Sequence, residues 1–169
     1  MRVNTESIQS RRHQRYEGLS FLLLLLMILI TQFSCSLQNS ELKHNQNLRL
    51  ENQNLWRESK INNYRMTVNV QQTGHNTPMG FVSIEVREGI LVSVKPAKPY
   101  FSGSLEKCHD CGTIEDMFEI IERAEQQAEK LEVVYETKLG YPISINVDYD
   151  SKKYDDELSI RIVGFEILE

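Results

Sequence analysis

Thr113–Lys130 (TIEDMFEIIERAEQQAEK) is the stretch on which the reading of the fold turns. Ile114, Met117, Phe118, Ile121, Ala124 and Ala128 recur at three- and four-residue spacing, which lines them along one side of a helix. Glu115, Glu119, Glu122, Glu125, Gln126 and Glu129 fill the rest of the surface, so one stripe is dry and the remainder wet. Thr113 supplies an N-cap, and Glu115 with Asp116 places negative charge beside the free N–H groups of the first turn. Burying such a stripe is worth on the order of 10 kcal/mol gross, but only against an apolar sheet face.

The flanking sequence supplies that face. Tyr64–Val70 alternates Tyr64, Met66, Val68 and Val70 with polar residues, Phe81–Val86 alternates around Val82, Ile84 and Val86, and Ile90–Val94 follows a tight Arg87-Glu88-Gly89 turn. Gln72–Met79, with Gly74 and Pro78, reads as a loop. Lys95–Gly112 is expected to be a second, longer loop, because Pro96 and Pro99 oppose continued ladder pairing. Past the helix, Leu131–Glu136 and Pro142–Tyr149 are strands joined through Lys138-Leu139-Gly140, and Asp150–Glu157 is a charged turn. Leu158–Leu168 closes the chain. Its inward set shifts from Leu158, Ile160 and Ile162 to Val163, Phe165 and Ile167, which predicts a bulge near Gly164. Leu48–Ile61 is a short helix with Trp56 as a core anchor. The order α-βββ-α-βββ predicts an α+β domain over 48–169, an antiparallel β-sheet of about six strands with helices packed on one face.

Upstream, Arg2, Arg11, Arg12 and Arg15 precede the unbroken apolar run Phe21–Ile30, and Ser34-Cys35 comes after it. This order reads as an export signal over 1–34, with Cys35 as the lipidation site of a bacterial lipoprotein. Gln32 stands where a lipobox usually has an apolar or small residue, and the rival reading is an uncleaved signal anchor. Either way the arginines hold the N-terminus inside, and the body lies outside the cytoplasm, tethered to a membrane by lipid or anchor. Residues 35–47 read as a polar tether. Removing 1–34 takes four basic and two acidic residues and leaves 15 basic and 22 acidic, a net charge of −7. That balance argues against a nucleic-acid partner.

The block Tyr135-Glu-Thr-Lys-Leu-Gly140-Tyr141-Pro142-Ile-Ser-Ile145-Asn-Val-Asp148, with Asp155-Asp156-Glu157 after it, resembles the signature of the domain-of-unknown-function family 6174 of exported bacterial proteins. The resemblance extends to Trp56, Tyr64, Thr113-Ile114, Phe118 and Ile121 and covers about 55–169. It implies an exported or lipid-anchored domain and brings no reaction or catalytic residues with it.

Cys108-His109-Asp110-Cys111 is the motif with conventional chemistry. Outside the cytoplasm a local Cys108–Cys111 disulfide is its natural product. Activation as a redox pair is opposed by Asp110, Glu115 and Asp116, and a zinc site lacks a fourth ligand. Asp148, Asp150, Asp155, Asp156 and Glu157 gather carboxylates that calcium could use, but Lys152 and Lys153 sit where an EF-hand places a ligand and its glycine, so solvated turn carboxylates are expected. With no nucleophile–base pair and no phosphate-cradling glycine loop, neither catalysis nor a cofactor is expected. The functional expectation is a membrane-tethered, exported, non-catalytic module that binds an envelope or extracellular partner through its sheet face or the Lys95–Gly112 loop. The alternative is an extracytoplasmic thiol redox or metal-binding protein acting through Cys108 and Cys111.

Overall fold

The computed structural model describes residues 42–73, 79–103, 105, 108, 111–153 and 156–169. The chain divides into two compact units, Met1–His44 and Asn45–Glu169, and the second contains every described strand. Helix α1 (residues 42–59) precedes strands β1 (Tyr64–Gln72), β2 (Met79–Arg87) and β3 (Ile90–Ser102). Helix α2 (Ile114–Gln127) then leads to β4 (Lys130–Tyr135), β5 (Pro142–Asp148) and β6 (Glu157–Ile167). All six strands form one antiparallel sheet in the order β3-β2-β1-β6-β5-β4. The class is α+β.

Each strand contributes its alternate residues to the core because successive side chains point to opposite faces. Tyr64, Met66, Val68 and Val70 of β1, Val82, Ile84 and Val86 of β2, and Leu158, Ile160 and Ile162 of β6 are all buried. Against them α2 sets Ile114, Met117, Phe118, Ile121 and Ala124, and also Ile120, which widens the expected stripe by one position. The helix stops at Gln127, so Lys130 belongs to β4.

Two expectations change. Lys95–Gly112 is not one loop, since β3 runs through Pro96 and Pro99 to Ser102. It does so as an edge strand with β2 as its neighbour. A proline there can turn its missing donor away from the ladder. Irregularity is absorbed between Gly80 and Val82, where the pairing slips from Phe101 to Pro96. Second, residues 42–47, expected in the tether, are helical. The expected Trp56 anchor is in place: α1 turns Arg49, Asn52 and Trp56 inward, while Leu48, Leu50 and Leu55 stay at least a third exposed.

The expected bulge is present. The β1–β6 register slips between Thr67, opposite Gly164, and Val68, opposite Ile162, which leaves Val163 as the extra, exposed residue. Phe165 returns to the core side, while Ile167, expected inward, is exposed at the strand's end. The β2–β3 connection is a two-residue turn with Glu88 and Gly89 both at positive φ, the geometry that matches the twist of a hairpin.

Candidate functional site

The start of α2 is held from three sides. Thr113 and Asp116 form a reciprocal capping box, with the Thr113 N–H donating to Asp116 Oδ2 at 2.7 Å and the Asp116 N–H to Thr113 Oγ1 at 3.2 Å. The Ile114 N–H, another free donor of the first turn, is accepted by the Tyr64 hydroxyl at 2.9 Å. Trp56 Nε1 donates to Glu115 Oε1 at 2.8 Å. Burial pushes the Tyr64 phenol well above its ordinary range, which keeps it neutral. Just upstream, Cys108 and Cys111 are disulfide-bonded with Cα atoms 5.2 Å apart. Cys111 belongs to the core and Cys108 is half-buried against it. Thiol exchange needs an exposed sulfur, so this burial favours a structural bond over a redox pair.

Trp56 lies edge-on to Tyr64, Tyr141 and Phe165, and Tyr141 stacks on Phe165 with ring centroids 4.5 Å apart. Gly140, at φ +77°, lets the β4–β5 turn approach the backbone of α1 beside Asn52 and Leu55, and Pro142 is buried as β5 begins. Trp56, Tyr64, Thr113-Ile114 and Gly140-Tyr141-Pro142, scattered through the sequence, therefore meet around one junction of α1, α2 and the sheet. Their joint role is architectural: they seat the two helices.

A buried ion pair ties α1 to α2. Arg49 Nε lies 3.0 Å from Glu125 Oε2, and Arg49 Nη2 lies 3.3 Å from Glu122 Oε1. Helical spacing places Glu125 on the wet face, but its side chain is only 2% exposed, and Oε1 has no hydrogen-bond partner among the described residues. Burial raises the Glu125 carboxyl above its usual range, and Arg49 pulls against that without cancelling it. A carboxyl that binds its proton more tightly folded than unfolded contributes stability at low pH and loses it as pH rises through the folded value. The midpoint of the wild type minus that of Glu125→Gln is therefore expected to fall as pH rises above the ordinary glutamate value of about 4.3. A flat difference in paired thermal melts would show that Glu125 titrates normally. The sequence hint for this pair was a lone arginine on the Arg49-Asn52-Trp56 face.

Among the described residues the other side of the sheet carries no helix. Cross-strand register assembles the row Met79–Gln71–Ser159–Asn146–Glu132, one residue from each of five neighbouring strands. Ser159 Oγ donates to Asn146 Oδ1 at 2.7 Å. A cavity of about 370 Å³ opens along this row, with Lys130, Asp148 and Glu157 among its walls. At the opposite end of the same face Arg65 bridges Glu85 at 2.9 Å and Glu166 at 3.3 Å, which closes that end with ion pairs. The sheet thus has an ionic end and a hydrogen-bonding end.

In the acidic turn Asp150 is committed to its own loop, while Asp148 Oδ1 and Asp156 Oδ1 are buried with no hydrogen-bond partner among the described residues. Asp150 accepts the Lys152 N–H at 3.1 Å and pairs with Lys153 Nζ at 2.9 Å, contacts that hold its carboxyl below the usual range, with the Lys153 contact the stronger. Glu129 accepts both the N–H and the hydroxyl of Ser151 and is lowered in the same way. Among the described residues no group of three or more His, Cys, Asp or Glu side chains is placed to hold a metal ion, and no helix is long and apolar enough to cross a membrane. Cys35, the segment 1–34, His109, Asp110 and Asp155 lie outside the described residues.

The fold and this face define a helix-backed antiparallel sheet domain with one open polar surface. The chain belongs to the family of unknown function DUF6174, whose model matches residues 49–167. No curated protein and no solved structure matches it.

Proposed function

We propose that the protein is an exported, membrane-tethered, non-catalytic module that holds an envelope or extracellular partner against the helix-free face of its sheet. The observation that carries this reading is the row Met79–Gln71–Ser159–Asn146–Glu132 and the cavity of about 370 Å³ along it, a volume within the range of binding clefts. Amide and hydroxyl side chains dominate the row, so the partner is one read by hydrogen bonds. Export is supported by the arginine-flanked run Phe21–Ile30 with Cys35 beyond it, and by a disulfide, which persists in oxidising compartments.

The test uses the full chain in its own envelope. Protease added to intact cells stripped of any outer layer is expected to cut the body, and Cys35→Ala is expected to abolish incorporation of labelled fatty acid. Chemical cross-linking is expected to trap a partner with the wild type and with Glu122→Ala but to lose it with Asn146→Arg plus Ser159→Arg. Equal trapping by the face variant would sink the binding reading, and full protection from protease would sink export.

A further inference from the structure

The two edges of the sheet are built differently. β3 carries Pro96 and Pro99 and two register slips, the devices by which an edge refuses a further strand. β4 carries no proline, and its one slip falls at its last residue, between Val134 and Tyr135. Among the described residues β5 is its sole strand neighbour. Val134 is 56% exposed on the open face, while Leu131, Val133 and Tyr135 are half-buried on the core side. Among the described residues one edge is closed and the other is left available.

We infer that β4 is a homodimer interface, pairing antiparallel with β4 of a second copy to make one twelve-stranded sheet. This pairing goes beyond the partner-binding reading and does not depend on it. Two constraints set the register. Directly opposed residues of an antiparallel pair point to the same face, so the two-fold axis must pass through a residue and not between two. Centring on Glu132 would set that carboxylate opposite itself, which like charge disfavours. Centring on Leu131 would pair the second copy with Ala128 and Glu129, which lie outside β4 beside the end of α2. Centring on Val133 uses the whole strand. Val133 then faces itself, Leu131 faces the second copy's Tyr135, Glu132 faces its Val134, and Lys130 faces its Glu136.

In that register the core-side row Leu131, Val133 and Tyr135 becomes one continuous apolar strip across the joint. On the open face Lys130 of each copy comes opposite Glu136 of the other, one residue past the end of β4, which sets an opposite-charge pair at each end of the joint. These pairs stand beside the contacts the same groups make within one chain, Lys130 Nζ to Glu132 at 3.0 Å and Glu136 Oε2 accepting the Lys138 and Leu139 N–H groups at 3.0 and 2.6 Å. The charge pattern is therefore complementary to itself under a two-fold rotation, as an isologous interface requires. The open polar faces of both copies would share one plane, presenting two hydrogen-bonding rows to whatever the module meets.

The experiment places cysteines by register in the full-length chain in membranes. Under mild oxidation Glu132→Cys plus Val134→Cys is expected to give a covalent dimer several-fold above either single variant, each of which retains the native Cys35, Cys108 and Cys111. Lys130→Cys plus Glu136→Cys, which leaves the strand centre intact, should do the same. In detergent the wild type should have twice the chain mass by light scattering, and Val134→Lys should halve it while the Trp56 emission stays native. A cross-link from Lys130→Cys plus Glu132→Cys instead would overturn the register. Dimer levels equal to the single variants in both designed pairs, with native Trp56 emission, would overturn the interface.

Discussion

Gly140→Ala is expected to be among the most damaging single substitutions in the domain. At φ +77° an L-residue is strained by about 1–2 kcal/mol. The added methyl would also press on the Asn52 carbonyl oxygen and sit 2.8 Å from Leu55 Cβ, both carried on α1. Backbone on one side of the clash leaves little room to relax, so the total should reach about 4 kcal/mol, in the range reserved for a few named mechanisms. A thermal midpoint roughly 10 °C lower would register it. Trp56 is the sole tryptophan and lies nearby on α1, so its emission should shift red as α1 loosens. Gly140→Asn separates the two causes, because asparagine tolerates positive φ but still carries a Cβ. If Asn were well tolerated, the dihedral alone would be the constraint and the close approach to α1 would count for little.

Phe118→Ala is the second large effect. Phe118 is 1% exposed and stacks on Tyr135 at 6.2 Å between ring centroids, so truncation opens a cavity where α2 meets β4. The expected cost is about 3–5 kcal/mol, with Ile121→Ala at about 2–5 kcal/mol beside it. Glu122→Ala, half exposed and one of two carboxylates serving Arg49, should cost well under about 1 kcal/mol. Denaturant melts would read all three. A Glu122 effect as large as that of Phe118 would mean that the Arg49 contact, rather than the apolar stripe, holds α2 down.

What could be read in the sequence depended on how local each cause was. The α2 stripe, the six strands and the bulge near Gly164 were legible because side-chain period and a face change depend on near neighbours alone. The prolines of β3 misled because their cost depends on whether the strand is an edge, which only the finished sheet decides. Arg49 and Glu125 were missed for the same reason: each looks like a solvated charge until the other is brought against it. The hydrogen-bonding row is harder still to see. Gln71, Ser159 and Asn146 are ordinary outward residues on three strands until register aligns them. Part of the signature was visible as a pattern, but nothing in its spacing shows that Trp56, Tyr64, Thr113-Ile114 and Gly140-Tyr141 converge on one junction where the helices are seated.

The sheet order has a consequence for how this domain comes into being. β1 and β6, the first and last of the six strands to be made, are hydrogen-bonded neighbours at the sheet's centre. A chain delivered from its N-terminus presents β1, β2 and β3 as a trio whose apolar faces wait for residues near Ile167. The central seam cannot close until residues 157–167 have arrived, so it joins strands separated by more than eighty residues of sequence. Folding is then expected to be slow for a domain of this size, in the manner of sheets rich in non-local pairing. Loss of Glu157–Ile167 would remove the middle of the sheet rather than trim its margin.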